Sequence, residues 1–147
     1  MHHNLKVLLA DTEELKKQAF AIREEVFVVE QQVPAEEEFD EFEETSRHFV
    51  ILDEQGKGIG ACRWRKTDKG IKLERFVVKA SARGKGIGQA LVQAALDDIE
   101  VQAGTGNYIY MHAQLPAVTL YERFGFRKKG EEFLECNIRH YLMEKIN

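Results

Sequence analysis

Residues 83–88 read Arg-Gly-Lys-Gly-Ile-Gly. Glycines let a backbone turn sharply and approach a ligand closely. Where a helix begins, its first amides have no internal partners, and with the helix dipole they form an anion site. Arg83 and Lys85 add positive charge. Together these features suit a diphosphate. A P-loop would need Ser or Thr after its lysine, and Gly86 follows Lys85. A dinucleotide fingerprint needs GxGxxG, and the spacing here is GxGxG. For the loop alone, a helix-opening turn with solvated charges is the plain alternative.

The surrounding elements must position this loop. Residues 71–78 are rich in β-formers and precede it, and a 3.6-period stripe of Ile87, Leu91, Ala94, Ala95 and Ile99 follows. A helix is expected from about residue 86 to 102, ended by Gly104 and Gly106. Upstream, Asp11 with Glu14 reads as a capping box. Leu15, Ala19, Ile22, Val26 and Val29 then form one apolar face. Residues 6–9, 48–52, 59–65, 71–78, 108–113, 126–133 and 138–143 read as strands, and residues 117–124 as a short helix after Pro116. The order is β-α-(α)-β-β-β-α-β-α-β-β, an α/β arrangement with a mostly antiparallel sheet. Short turns make the middle strands a meander, and the unit 71–113 should be a parallel, right-handed crossover.

The chain has 147 residues, enough for one domain across 1–147. Its composition is 44% hydrophobic and 31% charged with two prolines, which excludes a disordered or collagen-like chain. No apolar run approaches the ~20 residues of a membrane span, and no secretory signal is legible at the start. The net charge of −4 and pI of about 5.8 argue against nucleic-acid binding and suit a cationic substrate. Cys62 and Cys136 form no CxxC pair. Such sparse cysteines point to a reduced, cytoplasmic protein. Packing or surface roles are expected for both. His48, His112 and the His2–His3 pair show no ligand spacing, so no metal is expected. Trp64 is expected to pack in the sheet. Seven of the nine residues 36–44 are acidic, interrupted by Phe39 and Phe42. The phenylalanine spacing argues that one side of this segment docks as a helical turn or ordered loop.

Arg83-x-x-Gly86-x-Gly88, between a strand and a helix, resembles the acetyl-coenzyme A signature of the GNAT N-acetyltransferase superfamily. Gln114-x-x-Ala117-x-x-Leu120-Tyr121-x-x-x-Gly125-Phe126 resembles its second motif. The resemblance covers essentially the whole chain and matches the element order. Gln114 departs from the more usual Asn but keeps the amide. Arg23-x-x-Val26-Phe27-Val28-Val29-Glu30-Gln31, with the acidic stretch after it, is similar to the ElaA-like branch. Arg139 stands before His140 where that branch more often has Pro.

The resemblance implies a GNAT acyl-CoA N-acyltransferase fold and transfer of acetyl from acetyl-CoA directly to a primary amine. Pantetheine would add like a strand along residues 73–78, bound by the backbone of Phe76, Val77 and Val78. The amides of Arg83, Gly84, Lys85, Gly86, Ile87 and Gly88 would take the diphosphate, and Gln114 and Tyr121 would complete the cofactor site. An alkylammonium must first lose a proton, which costs about 4 kcal/mol at pH 7. The departing thiolate needs a proton. Tyr121 is the candidate donor, as the matching tyrosine lies near the sulfur; packing on the cofactor is its plainer role. Glu74 fits a general base or a cross-strand ion pair with Arg63, Arg65 or Arg75. His140 fits a base near pH 7 or a structural strand histidine. Arg23, Glu30 and Gln31 fit an acceptor-reading wall or a polar helix face. The acidic stretch would favour a polyamine, an arylalkylamine or a peptide lysine. A CoA-binding regulatory module without turnover is the competing function, and an acyl group larger than acetyl is a third possibility. Final strands often pair in this superfamily, so a homodimer is an expectation of the resemblance.

Overall fold

The computed structural model describes residues 6–147; His2 and His3 lie outside them. The first helix, α1 (Glu13–Arg23), is opened by Thr12 rather than Asp11. The Thr12 hydroxyl accepts the Leu15 amide at 3.2 Å, a cap contributing about 1 kcal/mol. After Arg23 the helix widens, Glu24–Glu30 winding as a π-helical segment. The Gln31 amide accordingly donates to Val26 O, five residues back, at 2.8 Å. This extra residue per turn rotates the apolar face. Val26 and Phe27 turn inward, and Val29 is 70% exposed instead of joining the expected stripe.

Pro34 then opens the one-turn helix α2 (Ala35–Glu38). Strands β1 (Val7–Leu9), β2 (Arg47–Leu52), β3 (Gly58–Lys66) and β4 (Ile71–Val78) pair antiparallel in succession. The β2–β3 turn forms because Asp53 Oδ1 accepts the amides of Gln55 and Lys57 at 2.8 and 3.0 Å. Helix α3 (Ile87–Ala103) carries the chain to β5 (Tyr108–Gln114), which lies parallel to β4. Helix α4 (Val118–Glu122) leads to β6 (Arg127–Glu135) and β7 (Ile138–Ile146). The sheet order is β1-β2-β3-β4-β5-β7-β6, so β7 lies inside and β6 forms an edge.

The sheet separates two cores. Leu91, Ala95 and Ile99 of α3 pack with Ile51, Leu73, Ile109 and Met143. Ala19, Ile22 and Val26 pack with Val50, Ala61 and Val77 on the other face. Trp64 is buried in the first core, and its indole N–H donates to Asp98 Oδ2 at 2.8 Å. Cys62 is buried, Cys136 is exposed and both are free thiols. The β6 edge carries charged residues and a register shift between Lys129 and Phe133. Charge and bulges both blunt edge-to-edge pairing. No helix among the described residues is long and apolar enough to cross a membrane.

Candidate active site

β4 and β5 pair only from Ile71↔Ile109 to Leu73↔Met111. Beyond that they separate. The cause lies in β4, where one extra residue sits between the Arg63↔Glu74 and Ala61↔Val77 pairs. Arg75, in this bulge, has φ 59°, a conformation costing a non-glycine residue about 1–3 kcal/mol. The bulge sends the Arg75 side chain toward α2, where Nε lies 3.1 Å from Glu38 O and Nη2 lies 3.1 Å from Asp40 Oδ2. Residues 74–78 keep an edge without a strand neighbour on the β5 side. Such an edge accepts added extended chain. A cavity of about 440 Å³ opens there, lined by Phe76, Gln114, Tyr121 and His140 among others.

The glycine loop stands past the end of β4. Gly84 and Gly86 have φ of 80° and 79°, the left-handed region that glycine enters freely. The space on their Cβ side is open. The α3 ladder begins with the Ala90 amide on Gly86 O at 3.1 Å, leaving the preceding amides without i−4 partners. Gly88 has a different reason: a Cβ there would meet Leu120 Cδ2 of α4 at 3.1 Å. Ile87 is buried core and contributes only its amide to the loop. Arg83 donates from Nε to Val78 O at 3.1 Å, and its Nη2 lies 3.0 Å from Glu30 Oε2. Glu30 therefore stands at the loop rather than on an acceptor wall.

The acidic segment is bound to buried arginines. Arg23, only 1% exposed, donates from Nε to Glu38 Oε2 at 2.9 Å and from Nη2 to Glu43 Oε2 at 2.7 Å. Its guanidinium also lies 4.9 Å from the Phe39 ring centre. A guanidinium saturated by two carboxylates and absent from the cavity lining favours a structural role for Arg23 over the acceptor-reading one. Arg63, fully buried, reaches Asp40 at 2.7 Å, Glu43 at 2.9 Å and Glu74 at 2.9 Å. Glu74 is also 2.6 Å from Arg65 and 3.2 Å from Lys72. Despite burial, the Arg65 hydrogen bond and the nearby cations hold its carboxyl at about 2. The geometry thus favours the ion-pair reading of Glu74 over the base. Lys72, not Arg75, completes the set. Since Glu38, Asp40 and Glu43 are neutralised in this way, the acidic stretch projects much less negative field than its composition implies.

Tyr121 is buried on α4, with its ring edge-on to Phe76 at 5.9 Å and to Phe126 at 6.2 Å. Burial pushes its phenol up, so it stays protonated at neutral pH. Tyr121 lines the cavity. Gln114 and Gln31 exchange amide bonds, Gln114 Nε2 donating to Gln31 Oε1 at 3.0 Å and Gln31 Nε2 to Gln114 Oε1 at 3.3 Å. They tie the π-helical segment to the end of β5. His140 is buried on β7 and lines the cavity. Sequence reasoning passed over Glu135, which lies beside both His112 and His140. Its only signal was a position next to the β6–β7 turn. Among the described residues no group of His, Cys, Asp or Glu could hold a metal ion.

A bulged strand parting from its parallel neighbour, beside a glycine-opened helix and a buried tyrosine, defines an acyl-CoA N-acyltransferase fold. An acyl-CoA N-acyltransferase from Pseudomonas aeruginosa matches it with TM-score 0.80 and 27% identity, covering 97% of this chain and 99% of that one. Escherichia coli ElaA shares the fold with TM-score 0.84 at 22% identity, over 95% of this chain and 98% of its own. The "Uncharacterized N-acetyltransferase YjcF" of Bacillus subtilis is 44% identical over 142 residues, 96% of this chain and 99% of the relative. The family model "Acetyltransferase (GNAT) domain" matches residues 11–147. The chain belongs to the GNAT acetyltransferase family.

Proposed function

We propose that this protein transfers acetyl from acetyl-CoA to a primary amine by direct attack, with Tyr121 as proton donor to the leaving sulfur. The observation that carries the reading is the unpaired edge of residues 74–78, which runs from the cavity holding Tyr121 to the glycine loop. The residues present fit the cosubstrate. Backbone groups of Phe76 and Val78 face that open edge while those of Val77 between them face β3, and Gly84 and Gly86 leave room for a diphosphate above the α3 amides. Lys85 and Arg83 supply positive charge at the same loop. When bound, the thioester supplies an activated acetyl carbon and a thiolate leaving group.

The chain's own residues do the rest. Tyr121 offers a protonated hydroxyl to the cavity. Phe76 and Phe126 fix its ring. His140 is the favoured base, since Glu74 is saturated by Arg63, Arg65 and Lys72. The acceptor is a small-molecule or peptide amine. With most of the acidic stretch neutralised, Glu37 and Glu135 are the cavity-lining acids left to attract a cation.

Thiol release from acetyl-CoA, measured across a panel of amines with mass spectrometry of the product, tests this reading. Amine-dependent release with an N-acetyl product is expected. Binding of CoA in calorimetry without release from any amine would favour the regulatory module. No heat on titrating CoA would remove both.

A further inference from the structure

We propose that Glu135 is a positioning residue for the reaction: its carboxylate, set between His112 and His140, makes His140 Nε2 the acceptor of the amine's proton. The inference rests on the acetyltransferase reading above.

The tautomer of His140 follows from its neighbours. Its Nδ1 lies 2.7 Å from Ile138 O. A carbonyl only accepts, so Nδ1 carries the hydrogen. In the neutral ring the lone pair is then at Nε2, 3.8 Å from Glu135 Oε2. That distance is too long for a hydrogen bond to a resting ring. A proton arriving on Nε2 turns the same contact into an ion pair, and an opposite charge within about 4–6 Å favours the charged form. Phe133 stacks on the His140 ring, centres 5.7 Å apart and planes 21° apart, which fixes its orientation.

The carboxylate is itself held. Glu135 Oε1 accepts His112 Nδ1–H at 2.9 Å, and Phe133 meets the His112 ring edge-on at 5.1 Å. The His112 bond holds the Glu135 carboxyl below its usual value, so it is charged at neutral pH. β4 brings Lys72, which is 3.2 Å from Glu74. β5 brings His112, β6 Glu135 and β7 His140. From α2 comes Glu37, to which the Cys136 thiol donates at 2.9 Å. That bond keeps the thiol protonated, pushing it up to about 11. Glu74 is bound to three cations. Among the described residues the cavity-lining imidazoles of His112 and His140 both keep a lone pair on Nε2, and His140 is the one whose Nε2 itself faces the Glu135 carboxylate.

The step balances. An N–H bond of the acceptor's ammonium breaks, the nitrogen keeps the electron pair, and an Nε2–H bond forms. The positive charge moves from substrate to ring. After the product leaves, the ring returns the proton to water, which reaches Glu135 at its 48% exposed side chain.

The test uses the full chain and the variants Glu135→Gln, Glu135→Asp and His140→Gln. Two quantities are read: the pH profile of kcat/KM with an amine found by the panel, and the His140 ring titration by NMR without substrate. Glu135→Gln should move the acid limb and the ring midpoint to lower pH, because the carboxylate that faces the arriving proton is gone. Glu135→Asp should restore both in part. His140→Gln should abolish the limb and lower kcat/KM by about 10²–10⁴. A folded Glu135→Gln protein with limb and midpoint both unmoved overturns the proposal while leaving the transferase intact. A wild-type protein that acetylates no amine overturns the transferase reading and the proposal together.

Discussion

Arg23 and Arg63 meet on one carboxylate: Glu43 Oε2 lies 2.7 Å from Arg23 Nη2, and its Oε1 lies 2.9 Å from Arg63 Nη1. Both arginines are sealed from water. The segment that closes over the cavity is therefore held by charge rather than by apolar area. Arg23→Met would leave Glu38, itself buried, without its closest cation. Removing one partner of a buried pair costs about 3–5 kcal/mol. Denaturant unfolding should show a loss of that order. A loss below about 1 kcal/mol would mean that Arg75 alone holds Glu38.

The same network sets the acid limit of stability. The Glu74 carboxyl is held at about 2 against an ordinary 4.5, and the carboxyls of Asp40 and Glu43 are also depressed by their arginine bonds, against burial. A depressed group binds its proton more weakly folded than unfolded. Its contribution is present above about pH 4.5 and lost as pH falls toward about 2. Glu38 acts in the opposite sense, because burial raises it. Its contribution is present below its ordinary value and lost as pH rises through the folded one. Three depressed groups outweigh one raised group. The denaturation midpoint should fall between pH 5 and pH 3, and Glu74→Gln should flatten that fall. An equal slope in the variant would count against this account.

Tyr121→Phe separates chemistry from packing. Phe keeps the edge-on contacts with Phe76 and Phe126 and removes only the hydroxyl. Turnover should drop by about 10²–10⁴, while CoA affinity by calorimetry stays within a few-fold. Turnover unchanged across pH would refute the donor role and leave Tyr121 as a wall of the cavity.

Glu30 competes for the loop's cation. Its carboxylate lies 3.0 Å from Arg83, both side chains being more than a third exposed. Exposed pairs contribute about 0–1 kcal/mol, so Glu30→Gln should tighten CoA binding by no more than about fivefold. The gain should shrink as salt screens the charges. Calorimetry at low and high salt checks this. Weaker binding in the variant would mean that Glu30 orients Arg83 rather than restraining it.

Local signals carried much of this protein. The glycines at 84 and 86, the apolar stripe of α3 and the turn at Asp53 each depend on neighbours within a few residues, and the element order followed from them. The motif pair around Arg83 and Tyr121 likewise lies on two continuous segments. Local ambiguity explains the first errors. Thr12 and Asp11 are adjacent capping types, and only backbone geometry chooses between them. A π-helical segment uses the same apolar letters as an α-helix, so the turn that exposes Val29 left no mark.

Long-range pairing decided the rest. Arg23 meets Glu43 across 20 residues, Gln31 meets Gln114 across 83, and His112 meets Glu135 across 23. A charged side chain has the same letter whether it faces solvent, substrate or a buried partner. Its role is settled by which opposite charges the fold brings within about 3 Å, and that depends on the bulge at Arg75 and the parting of β4 from β5. The residues of the glycine loop were legible because backbone conformation is a short-range matter. The fates of Arg23 and Glu135 were not, and the Glu74 ion pair was legible only as one of two readings, because electrostatic partnership is a property of the assembled sheet.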